Sequence, residues 1–199
     1  MEYLPALREY CEFGPERVYM LVALARSKEN EGRDPDGPSA IRKVVRDADG
    51  LDRAVAELDH AVSRFDATYR LYLTANARDT QQALFALRRS MDDWLEARLN
   101  GSEDVLRKFG RVDSEFKSTL QSDGCRDETN FVFDLDDATA ADADALEADL
   151  RERTTVQLRR ETPNGFHLVT APFDYNALAT DLEYELKTDG LVFVSYLGE

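Results

Sequence analysis

The chain has little of what several common chemistries require. Its only cysteines, Cys11 and Cys125, lie far apart, with no CxxC spacing and no neighbouring histidine. A structural zinc site and a disulfide framework are therefore not indicated, and nothing supports a cysteine–histidine or Ser-His-Asp nucleophilic site. Histidine is limited to His60 and His167. No apolar run approaches the ~20 residues of a membrane-spanning helix. The start, Met1-Glu2-Tyr3-Leu4-Pro5, lacks the basic and apolar regions of a secretory leader. The expectation is a cytoplasmic protein without a membrane partner; the sequence leaves its oligomeric state open.

Lysine is also scarce. Lys28, Lys43, Lys108, Lys117 and Lys187 are the only ones, and arginine supplies the rest of the 25 cationic side chains. Acids are abundant, and the formal net charge is −15. In dilute buffer such a surface repels the phosphates of nucleic acid. The mixture of few lysines, many arginines and much Asp and Ala resembles the salt adaptation of haloarchaeal proteins and their viruses. At molar salt the Debye length falls to about 3 Å, so global repulsion is screened and net charge does not exclude a nucleotide or nucleic-acid ligand. Local arginines would have to bind it.

A length of 199 residues and 43% hydrophobic content describe one folded domain with its own core. Residues 4–12 read as a short helix and 16–28 as a second, with Val18, Leu21, Val22 and Ala25 on one face. The stretch 30–39, with Gly32, Pro35, Gly37 and Pro38, reads as a loop. Residues 41–46 form a strand pattern. A helix over 51–65, capped by Asp49, follows, with Leu51, Val55, Leu58, Val62 and Phe65 on its apolar face. The alternation over 68–74 completes a βαβ unit. A helix starting at Asp79 or Thr80 runs to about 99 and is expected to bury Leu84, Leu87, Met91, Trp94 and Leu95; another spans about 103–120. The remainder reads as strand 131–136, helix 142–151, and strands 156–161 and 166–170 joined by Pro163-Asn164-Gly165. A final hairpin is expected between 183–187 and 191–196. The fold class is α+β, a mostly antiparallel sheet with helices packed on it. The chain divides into N-terminal helices and loop (1–40), a βαβ unit with helices (41–125) and a βαββ half (126–199).

The chemistry-bearing residues sit in that last half. Asp134 and Asp136 are two apart on a strand, so their side chains share one face. The apolar run Phe131-Val132-Phe133 before them marks a core strand rather than a solvated loop. Two such carboxylates need a proton or a cation between them, and a hard ion such as Mg²⁺ takes oxygen ligands of this kind. Asp137 faces the other way. His167 starts the return strand, with Phe166 and Leu168 facing opposite to it; His60 lies off the apolar face of its helix.

A hydrophobic strand ending in Asp-x-Asp, then a helix, then a small-residue turn leading to a histidine on a strand resembles the catalytic core of archaeo-eukaryotic primases and primase-polymerases. The resemblance covers about residues 130–196, with the preceding βαβ unit as the other αβ half. It implies a primase-like fold and nucleotidyl transfer with Mg²⁺ or Mn²⁺, acting on nucleotides and single-stranded nucleic acid. Asp134 and Asp136 match the metal-binding acids of the first motif. Thr162, Asn164, Gly165 and His167 occupy the second, which contacts the incoming triphosphate. Asp189 is the leading candidate for the third acid, with Asp174 and Glu185 as competitors. Arg78, Arg159 and Arg160 are the candidate phosphate-binding arginines. The stretch from Thr162 to Phe173 also looks like a segment of uncharacterised phage proteins.

Two other readings compete. Residues 131–139 also resemble the first motif of haloacid dehalogenase-type phosphatases, but only 63 residues follow Asp136 (199 minus 136) and Lys187 is their only lysine. The other reading is a non-catalytic viral accessory, structural or nucleic-acid-binding protein on a primase-like scaffold.

Overall fold

The computed structural model describes residues 3–31, 37–178 and 180–198. Residues 32–36 of the expected loop, and Met1 and Glu2 of the start, lie outside them. The chain runs α1 (Leu4–Tyr10), β1 (Arg17–Ala25), β2 (Ala40–Val45), α2 (Ala48–Val62), β3 (Tyr69–Thr74), β4 (Arg78–Asp79), α3 (Thr80–Leu99), α4 (Leu106–Phe109) and α5 (Val112–Leu120). It continues with β5 (Phe131–Asp136), α6 (Ala140–Arg151), β6 (Val156–Thr162), β7 (Gly165–Thr170), β8 (Glu185–Lys187) and β9 (Leu191–Leu197). The class is α+β and every named strand pairing is antiparallel. The strands form two sheets. The first has the order β2-β1-β3-β9, with β4 on β1; the second has the order β6-β7-β5-β8.

The expected second helix, 16–28, is instead β1, flanked by β2 and β3. Its stretch from Val18 to Ala23 is buried on both faces. A strand covered on both sides loses its alternation, and periodicity then cannot separate it from a buried helix. The βαβ unit holds: β2 and β3 both run antiparallel to β1, hence parallel to each other, and α2 connects them. Asp47 rather than Asp49 caps α2, accepting from the Gly50 amide at 2.6 Å. The expected helix 103–120 breaks at Gly110 into α4 and α5. Thr139 and Asp142 form a capping box that starts α6.

The last hairpin is the other correction. Both strands exist, but they do not pair with each other. β8 adds to β5 in the second sheet, while β9 adds to β3 in the first. A strand pattern specifies a strand and says little about its partner when the turn can be held by something else. Here Asp189 in the crossing segment forms a bidentate pair with Arg78, at 2.7 and 2.9 Å. The buried Asn76 amide donates to Thr188 O and Asp189 Oδ1.

Alternation along β5 organises the second half. Phe131, Phe133 and Leu135 pack with Leu146 and Leu150 of α6 and Leu168 of β7. On the opposite face Val132, with Val169 and Leu158, joins the large core built on α1, α2 and the first sheet. Asp134, Asp136 and His167 lie further along that second face. The β6–β7 turn then comes hard against β5. A Cβ on Gly165 would lie 1.9 Å from the Leu135 carbonyl oxygen, so only glycine fits. Gly165→Ala is expected to cost at least about 3 kcal/mol, or to prevent folding, since backbone cannot yield as a flexible side chain does. Chemical denaturation against wild type measures it; an unchanged midpoint would contradict the packing.

Candidate active site in the cleft between the sheets

One cavity of about 400 Å³ gathers most of the residues singled out in the sequence. Asp134, Asp136, Thr162, Asn164 and His167 line one side of it, together with Glu185 and Lys187 of β8. The other side comes from the first sheet and the segment after β1: Arg26, Lys28, Arg70 and Tyr72, with Leu191 and Phe193 of β9. The walls differ in charge: Asp134, Asp136 and Glu185 with one ammonium, Lys187, on the second sheet, and cations on the first-sheet side.

His167 is the hinge of this arrangement. Its Nδ1 accepts the Phe193 backbone N–H at 3.2 Å, and its Nε2 lies 3.1 Å from Asp134 Oδ1. An accepting Nδ1 carries no proton, so the ring proton sits on Nε2 and points at the carboxylate. The imidazole is 7% exposed and thus fixed in that orientation. Phe193 belongs to the first sheet and Asp134 to the second, so this buried histidine joins the two. Arg160 makes a second such link, donating to the Val194 carbonyl at 2.7 Å.

Asp134 Oδ2 accepts from Lys187 Nζ at 2.7 Å, and the same ammonium lies 2.9 Å from Glu185 Oε2. The His167 hydrogen bond, helped by Lys187 and opposed by burial, pulls the Asp134 carboxyl down to about 2. The Lys187 ammonium is shifted upward: burial opposes its charge, but the hydrogen bonds to Asp134 and Glu185 outweigh that. Asp136 is exposed at the cleft mouth. The next residue, Asp137, has φ of 56°, and its N–H donates to the Asn164 carbonyl at 2.6 Å. A left-handed turn at a non-glycine residue thus ties the end of β5 to the Asn164-Gly165 turn.

Five candidates are placed elsewhere. Asp189 and Arg78 pair with each other, and neither lines the cleft. Arg159 reaches the opposite face of the sheet and pairs with Asp144 and Glu147 of α6. Arg160 is spent on Val194, close to the site but outside its lining. Asp174 caps a short 3₁₀ turn through the Asn176 N–H. Of the alternatives for a third acid, Glu185 is the one in the cleft, directly across from Asp134 in the β5–β8 register. Arg26, Lys28, Arg70 and Lys187 were not foreseen. The clearest signal available was scarcity: two of the five lysines meet here.

Asp134 and Asp136 are the residues that could hold a hard divalent cation, with His167 and Lys187 now on the two Asp134 oxygens. Among the described residues no three His, Cys, Asp or Glu side chains are grouped closely enough to hold a metal ion by themselves. Mg²⁺, however, binds through one or two carboxylates plus substrate phosphates and waters. Asp134 and Asp136 on one face supply such a pair, with Lys187 as the present counter-charge of Asp134. A comparison with protein-family models, curated proteins and solved structures finds no match.

Two outcomes are expected. The folded-state pKa of Asp134 lies below its unfolded value, so its contribution is present above about pH 4 and lost as pH falls through about 2. In metal-free buffer Asp134→Asn should flatten the acid limb of stability by on the order of 2 kcal/mol, read from denaturation midpoints between about pH 5 and 2. Asp189→Ala should instead lower stability at neutral pH by about 3 to 5 kcal/mol, because it strands the 1%-exposed Arg78. Chemical denaturation at pH 7 measures it, and a loss under about 1 kcal/mol would show the Arg78–Asp189 pair to be dispensable.

Proposed function

We propose that the chain is a metal-dependent nucleotidyltransferase of the primase-polymerase kind, taking a nucleoside triphosphate and a nucleic-acid 3′ end into the cleft between its sheets. One observation carries the reading: Asp134, Asp136 and the oriented His167 face Arg26, Lys28 and Arg70 across one cavity. In a chain of net charge −15, Arg26 and Lys28, without an ion-pair partner among the described residues, stand at one cleft and mark a place for an anion. Carboxylates opposite them suit the cation that accompanies a triphosphate.

The residues divide the work by chemistry. Arg26 and Lys28 bind phosphate oxygens, and the Arg26 guanidinium plane suits a bidentate contact; Arg70, buried and paired with Glu29, backs that wall. Asp134 and Asp136 would hold Mg²⁺ or Mn²⁺, which supplies charge stabilisation at the attacking and leaving oxygens. His167 holds Asp134 by its Nε2–H and keeps that carboxylate ionised and oriented. Asn164 and Thr162 offer polar contacts at the turn. Lys187 neutralises Asp134 and Glu185 and is placed to follow the charge of a bound phosphate.

A second reading draws on the Lys187 ammonium between Asp134 and Glu185, which serves a non-catalytic nucleic-acid-binding module equally well. The decisive assay is primer synthesis or extension on single-stranded DNA, with labelled nucleotides and Mn²⁺ or Mg²⁺, over a range of salt. Wild type should give metal-dependent product, and Asp134→Ala/Asp136→Ala should reduce it by at least about 10²-fold. Absence of product from folded wild type, together with retained single-strand binding, would favour the binding module instead.

A further inference from the structure

The long helix α3 departs from its expected burial in a way that has a use. Its inner face is covered: Ala83 packs in one core cluster, and Leu87 and Trp94 pack in another with Val105. The expectation that Leu84 and Leu95 would join them fails. Leu84 is 60% exposed and Leu95 52%. Phe85 and Leu99 are exposed as well, and Leu106 follows in α4. Of six large hydrophobic side chains exposed among the described residues, five therefore lie in this one stretch, with Tyr175 the exception. Scattered exposed leucines need no explanation, but a concentration on one helix face marks an interaction surface.

The order of residues on that face is informative. Positions 84, 88, 92, 95 and 99 follow one helical stripe, with steps of four, four, three and four. Leu84, beside Phe85, occupies one end; Leu95 and Leu99 occupy the other. Arg88 and Asp92 stand between them, both exposed. Neither has an ion-pair or hydrogen-bond partner among the described residues. The stripe thus reads apolar, positive, negative, apolar. Turned through 180° and laid on itself, it matches: the leucine ends exchange, and each Arg88 falls beside the other Asp92. Self-complementarity of this sort is what a two-fold interface demands. A helix of 20 residues is about 30 Å long, room enough for both apolar ends and the central pairs.

We propose that a second copy of this chain docks on the outer face of α3, the two helices antiparallel across a two-fold axis. Leu84 and Phe85 of each copy pack against Leu95 and Leu99 of the other, and two Arg88–Asp92 ion pairs fix the register. The cleft residues lie on other elements, so the assembly leaves the proposed site of each copy open. The inference does not depend on what that site does.

The test is molar mass by light scattering and sedimentation at moderate ionic strength, where the Debye length is about 8 Å and the central ion pairs still act. Wild type should show twice the 22.6 kDa chain mass at high concentration. Leu95→Arg and Arg88→Asp should each shift the dissociation constant upward by at least tenfold, with helical content unchanged by circular dichroism. The double variant Arg88→Asp/Asp92→Arg exchanges the charges and should restore dimerisation, which general surface stickiness would not do. A wild type that stays monomeric, an Arg88→Asp variant as dimeric as wild type, or a double variant that stays dissociated would each overturn the proposal.

Discussion

The structure turns on one buried imidazole. His167 accepts a backbone N–H from β9 of the first sheet and donates to Asp134 on β5 of the second. Both ring nitrogens are committed, so the buried ring cannot turn without losing a hydrogen bond. That constraint sets the relation of the two sheets at the cleft, and it aims the Asp134 carboxylate into the cavity. The Asp189–Arg78 pair supports it from the far end, because it holds the crossing through which the chain leaves β8 and enters β9. That crossing carries β9 to β3 and brings the Phe193 N–H to His167.

The same face of β5 serves two purposes in succession. Val132 enters the core shared with the first sheet, whereas Asp134 and Asp136 project where the sheets diverge. A cleft at the open end of a packed interface is a natural place for polar chemistry, since the apolar part supplies rigidity and the polar part need not be desolvated completely. The charges of the two walls are complementary, and a long-range acidic field surrounds them. At low salt that field works against a polyanion; at high salt it is screened, and the local cations decide.

Much of this was legible in the sequence. The Asp-x-Asp strand end, the Pro163-Asn164-Gly165 turn and His167 combine local signals: alternation, turn chemistry and a close approach that only glycine permits. Asp134, Asp136, Asn164 and His167 emerge together in one cavity, with Gly165 packed against β5 beside it. What escaped was long-range. β1 is apolar on both faces because other elements cover both, and its periodicity carried no sign of that. The segments β8 and β9 show two strands around a turn, and nothing local says that Arg78, over a hundred positions earlier, captures Asp189 and sends them to different sheets. Arg26, Lys28 and Arg70 were missed for the same reason, since a cation's role depends on what faces it. Leu84 and Leu95 obey helical spacing, yet spacing cannot say which side the rest of the chain covers.

The central claim is that His167 is held as the Nε2–H tautomer between the two sheets, and ¹⁵N NMR of the imidazole tests it most directly. At neutral pH the account predicts an unprotonated Nδ1 coupled through a hydrogen bond to the Phe193 amide, and a protonated Nε2 whose shift changes in Asp134→Asn. A ring proton on Nδ1, or averaged signals showing a freely exchanging ring, would contradict it.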